Sequence, residues 1–199
     1  MCVFLVVMFI RTISNESSSR VVEKKSCFIA YLFKINSEVE CKEKLLFLQN
    51  KHKDANHIPF AYRIKGESSL IERYSDDGEP SKTAGFPLLK ILRQENLLNV
   101  VVFVVRFFGG VKLGPAGLMR AFSQSLKLAL DEAGIVELEL TSNHKLVFDV
   151  KKTSLVESFL KKHNVSYFVK PENASLAVFF DLPVSKKYLL DDLSRILNN

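Results

Sequence analysis

The spacing of apolar positions predicts that the first part of the chain alternates between strands and amphipathic helices. Residues 27–35 are apolar and β-prone, which predicts a strand, and residues 37–52 carry leucines among charged residues, which predicts a helix. Residues 58–64 and 70–74 predict two strands around the turn at 65–67. The chain therefore begins with a β-α-β-β order.

Three further elements complete this part of the chain. Thr83 is a candidate N-cap for a helix that ends near Gln94. The continuous Val and Phe run at 99–105 is typical of a strand buried on both faces of a sheet. A longer helix begins at Gly114, and Gly134 is its predicted stop signal. The resulting βαββαβα order predicts an α+β layer in which helices pack against one sheet.

A second, smaller domain is predicted after this one, so that the two domains span residues 20–138 and 139–199. A unit of about 60 residues is large enough for a small core. Residues 135–150 are strand-like, with a break near 142–144. The elements predicted from there on are a strand at 145–150, a helix at 153–163, strands at 165–170 and 174–181, and a helix at 185–197.

The first 19 residues are predicted to be an extension outside these two domains. Residues 1–10 are almost wholly apolar, but a membrane-spanning helix needs about 20 apolar residues, and a secretory signal needs a basic region and a cleavage site. The extension is therefore interpreted as a disordered segment, as residues upstream of a true start at Met8, or as a short extra strand. The chain is expected to be soluble and cytoplasmic, without a membrane partner.

The distribution of charge is more informative than the net charge of +6. Residues 141–199 carry 9 Lys and Arg against 6 Asp and Glu, a surplus of three in less than half of the length. This basic density is compatible with a nucleic-acid or ribosomal partner. A solvated, lysine-rich surface explains it equally simply.

The three cysteines are not predicted to form a metal site or a set of disulfides. Cys2, Cys27 and Cys41 lack metal-type spacing, and three cysteines cannot all pair within one chain. Cys27 and Cys41 are interpreted as small apolar residues of a strand and a helix, as expected in a reducing cytoplasm.

Glycines concentrate in the middle of the chain, where we expect a constrained site. Six of the eight glycines fall between Gly78 and Gly117. Glycine is used where the backbone needs unusual angles or a close approach to a neighbour. The motifs of this block are SDDGEP at 75–80, TAG at 83–85, VVRFFGG at 104–110, KLG at 112–114 and GLMRAFS at 117–123.

The acidic turn places three carboxylates close together, on Asp76, Asp77 and Glu79. Hard oxygen ligands suit Mg²⁺ or Ca²⁺, and crowded carboxylates favour acid/base chemistry, for which His57 is the nearest candidate base. The spacing of a calcium loop is absent. Aspartates also build turns by accepting backbone N–H bonds, so a structural turn and a structural His57 remain the simpler alternatives.

Arg106 ends the most apolar strand of the chain, so its burial requires an anionic partner. The turn at 76–79 is the natural candidate, and such a pair would fix the loops without chemistry. In the alternative, Arg106 holds a phosphate together with Lys112 and Arg120.

The strand-to-helix loop from Gly109 to Gly117 is a candidate anion site. Free backbone N–H groups at a helix start, with cations nearby, bind phosphate readily. The loop is neither a Walker A loop nor a dinucleotide signature, so an RNA phosphate is favoured over nucleotide hydrolysis. Tight sheet packing is the alternative use of its glycines. The candidate ligand-binding residues are Arg106, Gly109, Gly110, Lys112, Gly114, Gly117 and Arg120.

Together with Ala55, His57 and Ala61-Tyr62 upstream, these motifs resemble the IMPACT/YigZ family, uncharacterised protein family 0029. The resemblance implies a two-domain fold, with an N-terminal domain like domain IV of elongation factor G and a ferredoxin-like C-terminal domain like its domain V. Larger members are associated with control of translation, which implies an RNA or ribosome partner for this chain.

Two functional hypotheses follow. The first is a non-enzymatic module that binds RNA or the ribosome in the regulation of translation, with no cofactor. The alternative is a small metal-dependent hydrolase that uses the acidic turn and His57.

Overall fold

The computed structural model of the chain describes residues 9–66 and 69–198. The strands in this part of the chain are β1 (Phe9–Ile13), β2 (Ser17–Glu23), β3 (Ser26–Lys34), β4 (Phe60–Lys65), β5 (Leu70–Ser75), β6 (Val100–Phe107), β7 (Ile135–Glu139), β8 (Thr141–Phe148), β9 (Tyr167–Glu172) and β10 (Ser175–Pro183). The α-helices are α1 (Glu38–Lys51), α2 (Gly85–Gln94), α3 (Gly114–Ala133), α4 (Thr153–Lys162) and α5 (Leu189–Asn198).

The described residues divide into two compact units, one of Arg11–Glu137 and a second that contains residues 9–10 and 138–198. Each unit has its own sheet and its own buried cluster of apolar side chains. The predicted α+β, two-domain fold class is confirmed. No helix within the two described ranges is long and apolar enough to cross a membrane.

The first unit is built on a five-stranded antiparallel sheet with the order β2-β3-β6-β4-β5. Its middle strand β6 is buried on both faces, as the apolar run predicts. Val102 and Val104 pack with α2 and α3 on one face. Val101 and Phe103 pack with α1 on the other face. The βαββαβα order is present from β3 to α3.

Within the segment 1–19 that the sequence assigned to an extension, β1 and the start of β2 precede that order, which agrees with the extra-strand alternative from Phe9 onward. β2 was hard to recognise because its sequence, SSSRVVE, is mostly polar. Two of its serines are tied to α3 instead. The Ser17 hydroxyl donates to the Ala129 carbonyl at 2.7 Å, and the Ser19 hydroxyl donates to the Ser125 carbonyl at 2.6 Å. Residues 1–8, with Cys2 and Met8, lie outside the described residues, as does Glu67 of the predicted turn.

Local sequence signals explain the start of α1 and the end of α3. Ser37 caps α1, because its side chain accepts from the Glu40 N–H. Gly134, with φ of 66°, ends α3 as predicted. Burial raises the pKa of the Cys41 thiol on α1 to about 11, which suits its predicted use as an apolar filler.

The start of α2 corrects the prediction that Thr83 is its N-cap. The Thr83 hydroxyl donates to the Pro80 carbonyl at 2.6 Å, within the preceding turn. The cap is supplied from the acidic turn, since one carboxylate oxygen of Asp76 accepts from the Ala84 and Gly85 N–H groups at 3.1 and 2.9 Å. A carboxylate suits this position because the N-terminus of a helix is positive.

The second unit is a three-stranded antiparallel sheet with the order β8-β10-β9. Because β10 lies between β8 and β9, which α4 connects, this is the split β-α-β arrangement of ferredoxin-like folds. The helices α4 and α5 cover one face of the sheet around Val178 and Phe180. The predicted break near 142–144 is wrong, because these residues pair in register with β10.

Candidate functional site

An open pocket of about 440 Å³ lies in the first unit, where the loop after β6 meets the turn after β5. Its lining includes His57, Glu79, Arg106, Phe108, Lys112 and Gly114. The structure therefore brings together five of the residues that the sequence proposed for a site. Leu113 and Leu118 add apolar surface to the same pocket.

Arg106 and Glu79 form a buried ion pair at the base of this pocket. One guanidinium nitrogen, Nη1, donates to the Glu79 carboxylate at 2.5 Å. The two side chains are 8% and 2% exposed. The prediction that Arg106 finds its anionic partner in the acidic turn is confirmed. A charge on β6 could not be buried at this depth without such a partner.

The pair leaves one buried nitrogen of Arg106, Nε, without a partner among the described residues. Within residues 9–66 and 69–198, the buried side-chain polar atoms that lack a hydrogen bond are Arg106 Nε and Thr12 Oγ1. The guanidinium otherwise lies near aromatic rings, with its carbon 5.4 Å from the centre of Phe28 and 5.6 Å from the centre of Phe108. Buried donors without acceptors are rare in folded proteins. Arg106 lines the pocket and thus keeps an unused buried donor next to it.

The two aspartates of the acidic turn are engaged by backbone groups. Asp76 accepts from the Lys82 N–H at 2.8 Å in addition to capping α2. Asp77 accepts from the Ile58 N–H at 2.6 Å, which ties the turn to the segment before β4. Neither aspartate lines the pocket. In the part of the chain that the structure describes, no three His, Cys, Asp or Glu side chains are grouped to hold a metal ion.

His57 is held by the same turn. Its Nδ1 lies 2.6 Å from the Asp77 carbonyl oxygen. A carbonyl only accepts, so Nδ1 is the donor in this hydrogen bond. Gly78, with φ of 82°, lets the turn pass close to the ring, since a Cβ there would lie 3.1 Å from His57 Cε1. The ring is fixed as one wall of the pocket.

The predicted glycines of the loop have different physical roles. A Cβ on Gly109 would lie 2.1 Å from the Lys25 carbonyl carbon, so only glycine fits against this segment. Gly110 and Gly114 have φ of 84° and 70° with open space around them, so they serve the backbone conformation. Gly117 is buried, and its Cβ would lie 3.1 Å from Leu113 Cβ.

The N-terminus of α3 opens onto the pocket without a capping side chain. Its N-cap, Leu113, makes no side-chain hydrogen bond, and the first turn contains no acidic residue. The 20 residues of α3 place the positive end of a long helix here. Pro115 stands in the first turn, where its missing N–H is tolerated. Lys112, which is exposed, adds a formal positive charge.

Arg120 is not brought to this pocket. It lines a neighbouring groove with Val21, Glu23, Gln124 and Lys127, between β2 and the outer side of α3. Its position follows from helical geometry, because one turn and a half separate it from Gly114. The structure therefore separates Arg120 from Arg106 and Lys112.

Sequence reasoning did not identify Asn56, which lines the pocket beside the end of β6. Its side-chain oxygen accepts from the Phe108 N–H at 2.7 Å, and its own N–H donates to the Arg106 carbonyl at 2.9 Å. Asn56 thus holds the backbone of β6 at both sides of Phe107. No local pattern marks this role, because its partners lie 50 residues further on.

Comparison with known proteins shows that all the pocket residues fall within one domain family. Residues 24–130 match the family described as the Impact N-terminal domain. The IMPACT family member YvyE of Bacillus subtilis is 34% identical over 176 residues, or 88% of this chain and 80% of that protein. An IMPACT family member of Haemophilus influenzae is 32% identical over 168 residues, or 82% of this chain and 79% of that protein.

A solved structure shares the fold over almost the full length of the chain. The crystal structure, described as that of a hypothetical protein, superposes with a TM-score of 0.75 and 25% sequence identity. The match covers 96% of this chain and 95% of the other.

Proposed function

The chain belongs to the IMPACT family, and from this premise we propose that it is a non-enzymatic RNA- or ribosome-binding protein that regulates translation. In this proposal a backbone phosphate of RNA occupies the pocket at the N-terminus of α3. The observation that carries the proposal is the buried Arg106 Nε, which has no partner among the described residues. A bound anion would supply the missing acceptor.

Three kinds of donor support phosphate as the ligand. Arg106 is held rigidly by Glu79, so its free Nε–H costs little further ordering when it binds. The uncapped start of α3 offers backbone N–H groups and the positive end of the helix dipole. Lys112, on the pocket rim, adds a charge that solvent reaches. Since Glu79 already compensates the Arg106 charge, Lys112 and the helix provide the net attraction.

Phe108 supports a nucleic-acid ligand over free phosphate. Its ring is 47% exposed on the pocket wall, next to the Arg106 guanidinium. Exposed aromatic rings stack on unpaired bases in RNA-binding proteins. A nucleotide could therefore place its phosphate at α3 and its base on Phe108.

The family resemblance supports translation as the process, because larger members are associated with its control. The acidic turn does not favour the hydrolase alternative, since the carboxylates of Asp76 and Asp77 accept backbone N–H groups. Glu79 is likewise engaged by Arg106.

The test is RNA binding by fluorescence anisotropy across a salt series, comparing the wild type with Lys112→Ala. We expect salt-sensitive binding, and a slope of log K against log salt that falls by about one when a phosphate contact is lost. The matched control is Lys90→Ala, because Lys90 is an exposed lysine of α2 outside the pocket. Equal slopes for Lys112→Ala and the wild type would refute the phosphate site.

Arg120→Ala belongs in the same series, because it decides whether the bound RNA extends beyond the pocket. If Arg120 contacts RNA from its own groove, its loss and the loss of Lys112 should add in the double variant. Binding unchanged in Arg120→Ala would confine the site to the pocket.

A further inference from the structure

Among the residues that the structure describes, no helix covers one face of the sheet of the second unit. α4 and α5 pack on the opposite face, around Val178 and Phe180. Side chains that alternate with that core point to the uncovered side. There Phe168 is 53% exposed and Val147 is 49% exposed. This surface, made of Lys145, Val147, Phe168, Lys170 and Phe179, is called the Phe168 face below.

Two aromatic rings form the centre of the Phe168 face. Phe168 on β9 and Phe179 on β10 are directly opposite in the antiparallel register. Their ring centres are 4.8 Å apart and their planes differ by 7°. Parallel rings at this separation are offset-stacked, face against face. Because β9 is an edge strand of the sheet, the stack ends at Phe168, where a further planar group could extend it.

Lysines surround these rings. The Lys170 ammonium lies 5.3 Å from the centre of Phe168 and 5.9 Å from the centre of Phe179. Lys145 lies 5.8 Å from the centre of Phe179, and its charge is paired with Glu172 at 2.7 Å. Lys170 has no ion pair with any residue in the described ranges. Lys170 therefore lies beside the aromatic stack without an ion-pair partner among the described residues, and the exposed Asp181 of β10 lies on the same side of the sheet.

We infer that the Phe168 face binds single-stranded RNA, stacking an unpaired base on Phe168 with the adjoining phosphate near Lys170. A planar base continues the existing stack, and the free ammonium matches a phosphate in charge and reach. A duplex keeps its bases stacked internally and cannot supply this contact. The choice of RNA as the nucleic acid rests on the proposed function, but the residues belong to the other unit and are independent of the pocket.

The test is anisotropy with a fluorescein-labelled octauridine, compared between Phe168→Tyr and Phe168→Leu. Tyr keeps the aromatic face, whereas Leu keeps apolar area without it. Base stacking contributes about 1–3 kcal/mol, so we expect the dissociation constant to rise about 5-fold to 150-fold in Phe168→Leu and to stay near the wild-type value in Phe168→Tyr. An RNA duplex of the same length should not compete for this contact.

The matched control is Phe47→Leu, because Phe47 on α1 is 54% exposed and also has a lysine, Lys51, near its ring at 5.8 Å. We expect this variant to bind octauridine as the wild type does. Equal octauridine affinities of Phe168→Tyr and Phe168→Leu would overturn the inference, because stacking of a base at this position requires an aromatic ring. Absence of octauridine binding by the wild-type protein would also overturn it.

The same titration separates this inference from the proposed pocket. Lys112→Ala acts through the pocket, whereas Phe168→Leu acts through the second unit. If only Phe168→Leu weakens binding, the pocket proposal fails and the Phe168 face stands. If only Lys112→Ala weakens binding, the pocket stands and the inference about the Phe168 face is wrong. Additive losses in the double variant would support both surfaces.

Discussion

Two arginines are buried in the first unit, and their surroundings differ in one decisive respect. Arg63 on β4 donates from Nε to Glu72 at 2.6 Å and from Nη1 to the Leu92 and Leu97 carbonyls at 3.1 and 3.0 Å. No buried nitrogen of Arg63 lacks a partner among the described residues. Arg106 has its carboxylate, Glu79, but keeps a buried Nε–H with no acceptor.

The difference separates a structural arginine from one with a donor left for a ligand. The guanidinium of Arg63 joins β4, β5 and the end of α2. Its Nε and Nη1 donors are both used within the fold. Arg106 lies instead at a pocket beside an uncapped helix start. Arg63 and Arg106 are both buried and ion-paired, so what distinguishes them is whether every buried N–H donor has an acceptor.

Removing the carboxylate partner of each arginine should give the largest losses of stability, and the two losses should differ. Loss of one partner from a buried ion pair costs about 3–5 kcal/mol of unfolding free energy. We expect Glu79→Ala to approach this cost, and Glu72→Ala to cost less, because Arg63 keeps two carbonyl acceptors. Urea unfolding measures both.

Inorganic phosphate should then distinguish the two variants. In Glu79→Ala the anion can take the place of the carboxylate in an open pocket, so unfolding should shift to higher urea concentration as phosphate is added. Glu72→Ala has no such pocket and serves as the control for the general effect of the salt. The same gain in both variants would contradict an anion site at Arg106.

A side chain at Gly109 should disturb the Arg106 corner while leaving the Arg63 corner intact. Its Cβ would overlap the Lys25 backbone, so we expect Gly109→Ala to cost about 3 kcal/mol. Gly110→Ala has open space and only a positive φ to oppose it, for which about 1 kcal/mol is expected. Thermal unfolding of the two variants provides the comparison. Equal losses would mean that the Lys25 segment moves to make room.

The pH dependence of stability should test how much the ion pair of Glu72 with Arg63 and Arg93 stabilises the fold. Burial raises the pKa of Glu72, but hydrogen bonds from Arg93 and Arg63 outweigh it, so the folded pKa lies below the ordinary 4.5. Such a carboxylate stabilises the fold above pH 4.5 and loses this contribution as the pH falls through its folded pKa. Glu72→Gln should therefore be about 2 kcal/mol less stable than the wild type at pH 7.

That difference should shrink steadily between pH 5 and pH 3 in urea unfolding measured at each pH. Both proteins lose other carboxylate contributions over the same range, so the difference between them isolates Glu72. A difference that stays constant down to pH 3 would show that Glu72 does not titrate with folding.

Phe108→Ala should give the smallest effect. Its exposed ring lies 5.6 Å from the Arg106 guanidinium carbon, and an exposed cation–π contact contributes about 0.5–1 kcal/mol. We expect a loss of that size in urea unfolding. Val111→Ala is the control, since Val111 is an exposed apolar residue of the same loop. A loss no larger than that of the control would show that the Phe108 ring does not stabilise Arg106.

The sequence allowed prediction of the Arg106 corner because its rules are local. A charge at the end of a continuous apolar strand needs an anion, and a nearby acidic turn supplies one, as the pair with Glu79 confirms. Arg63 gave no such signal. It stands inside a strand of mixed character, and its acceptors come from Glu72 and from the backbone of residues 92 and 97. Those partners are set by strand pairing and helix docking.

The same distinction applies to the elements of the fold. β6 and α3 were predictable, because an apolar run and a C-terminal glycine act within the segment itself. The cap of α2 was not, because Asp76 reaches it across a turn that Thr83 occupies with its own hydrogen bond. β2 was missed because its serines satisfy carbonyls of α3, an element 100 residues away.

The central position of β6 has a consequence for the order in which the protein becomes functional during its synthesis. β6 pairs with β3 on one side and β4 on the other, although about 70 and 40 residues separate it from them in the chain. Such non-local pairing makes folding slow and cooperative. A nascent chain that ends before Val100 would lack Arg106, Lys112 and the start of α3, and so most of the donors of the pocket. Ligand recognition by the first unit should therefore arise late in translation and in a single step.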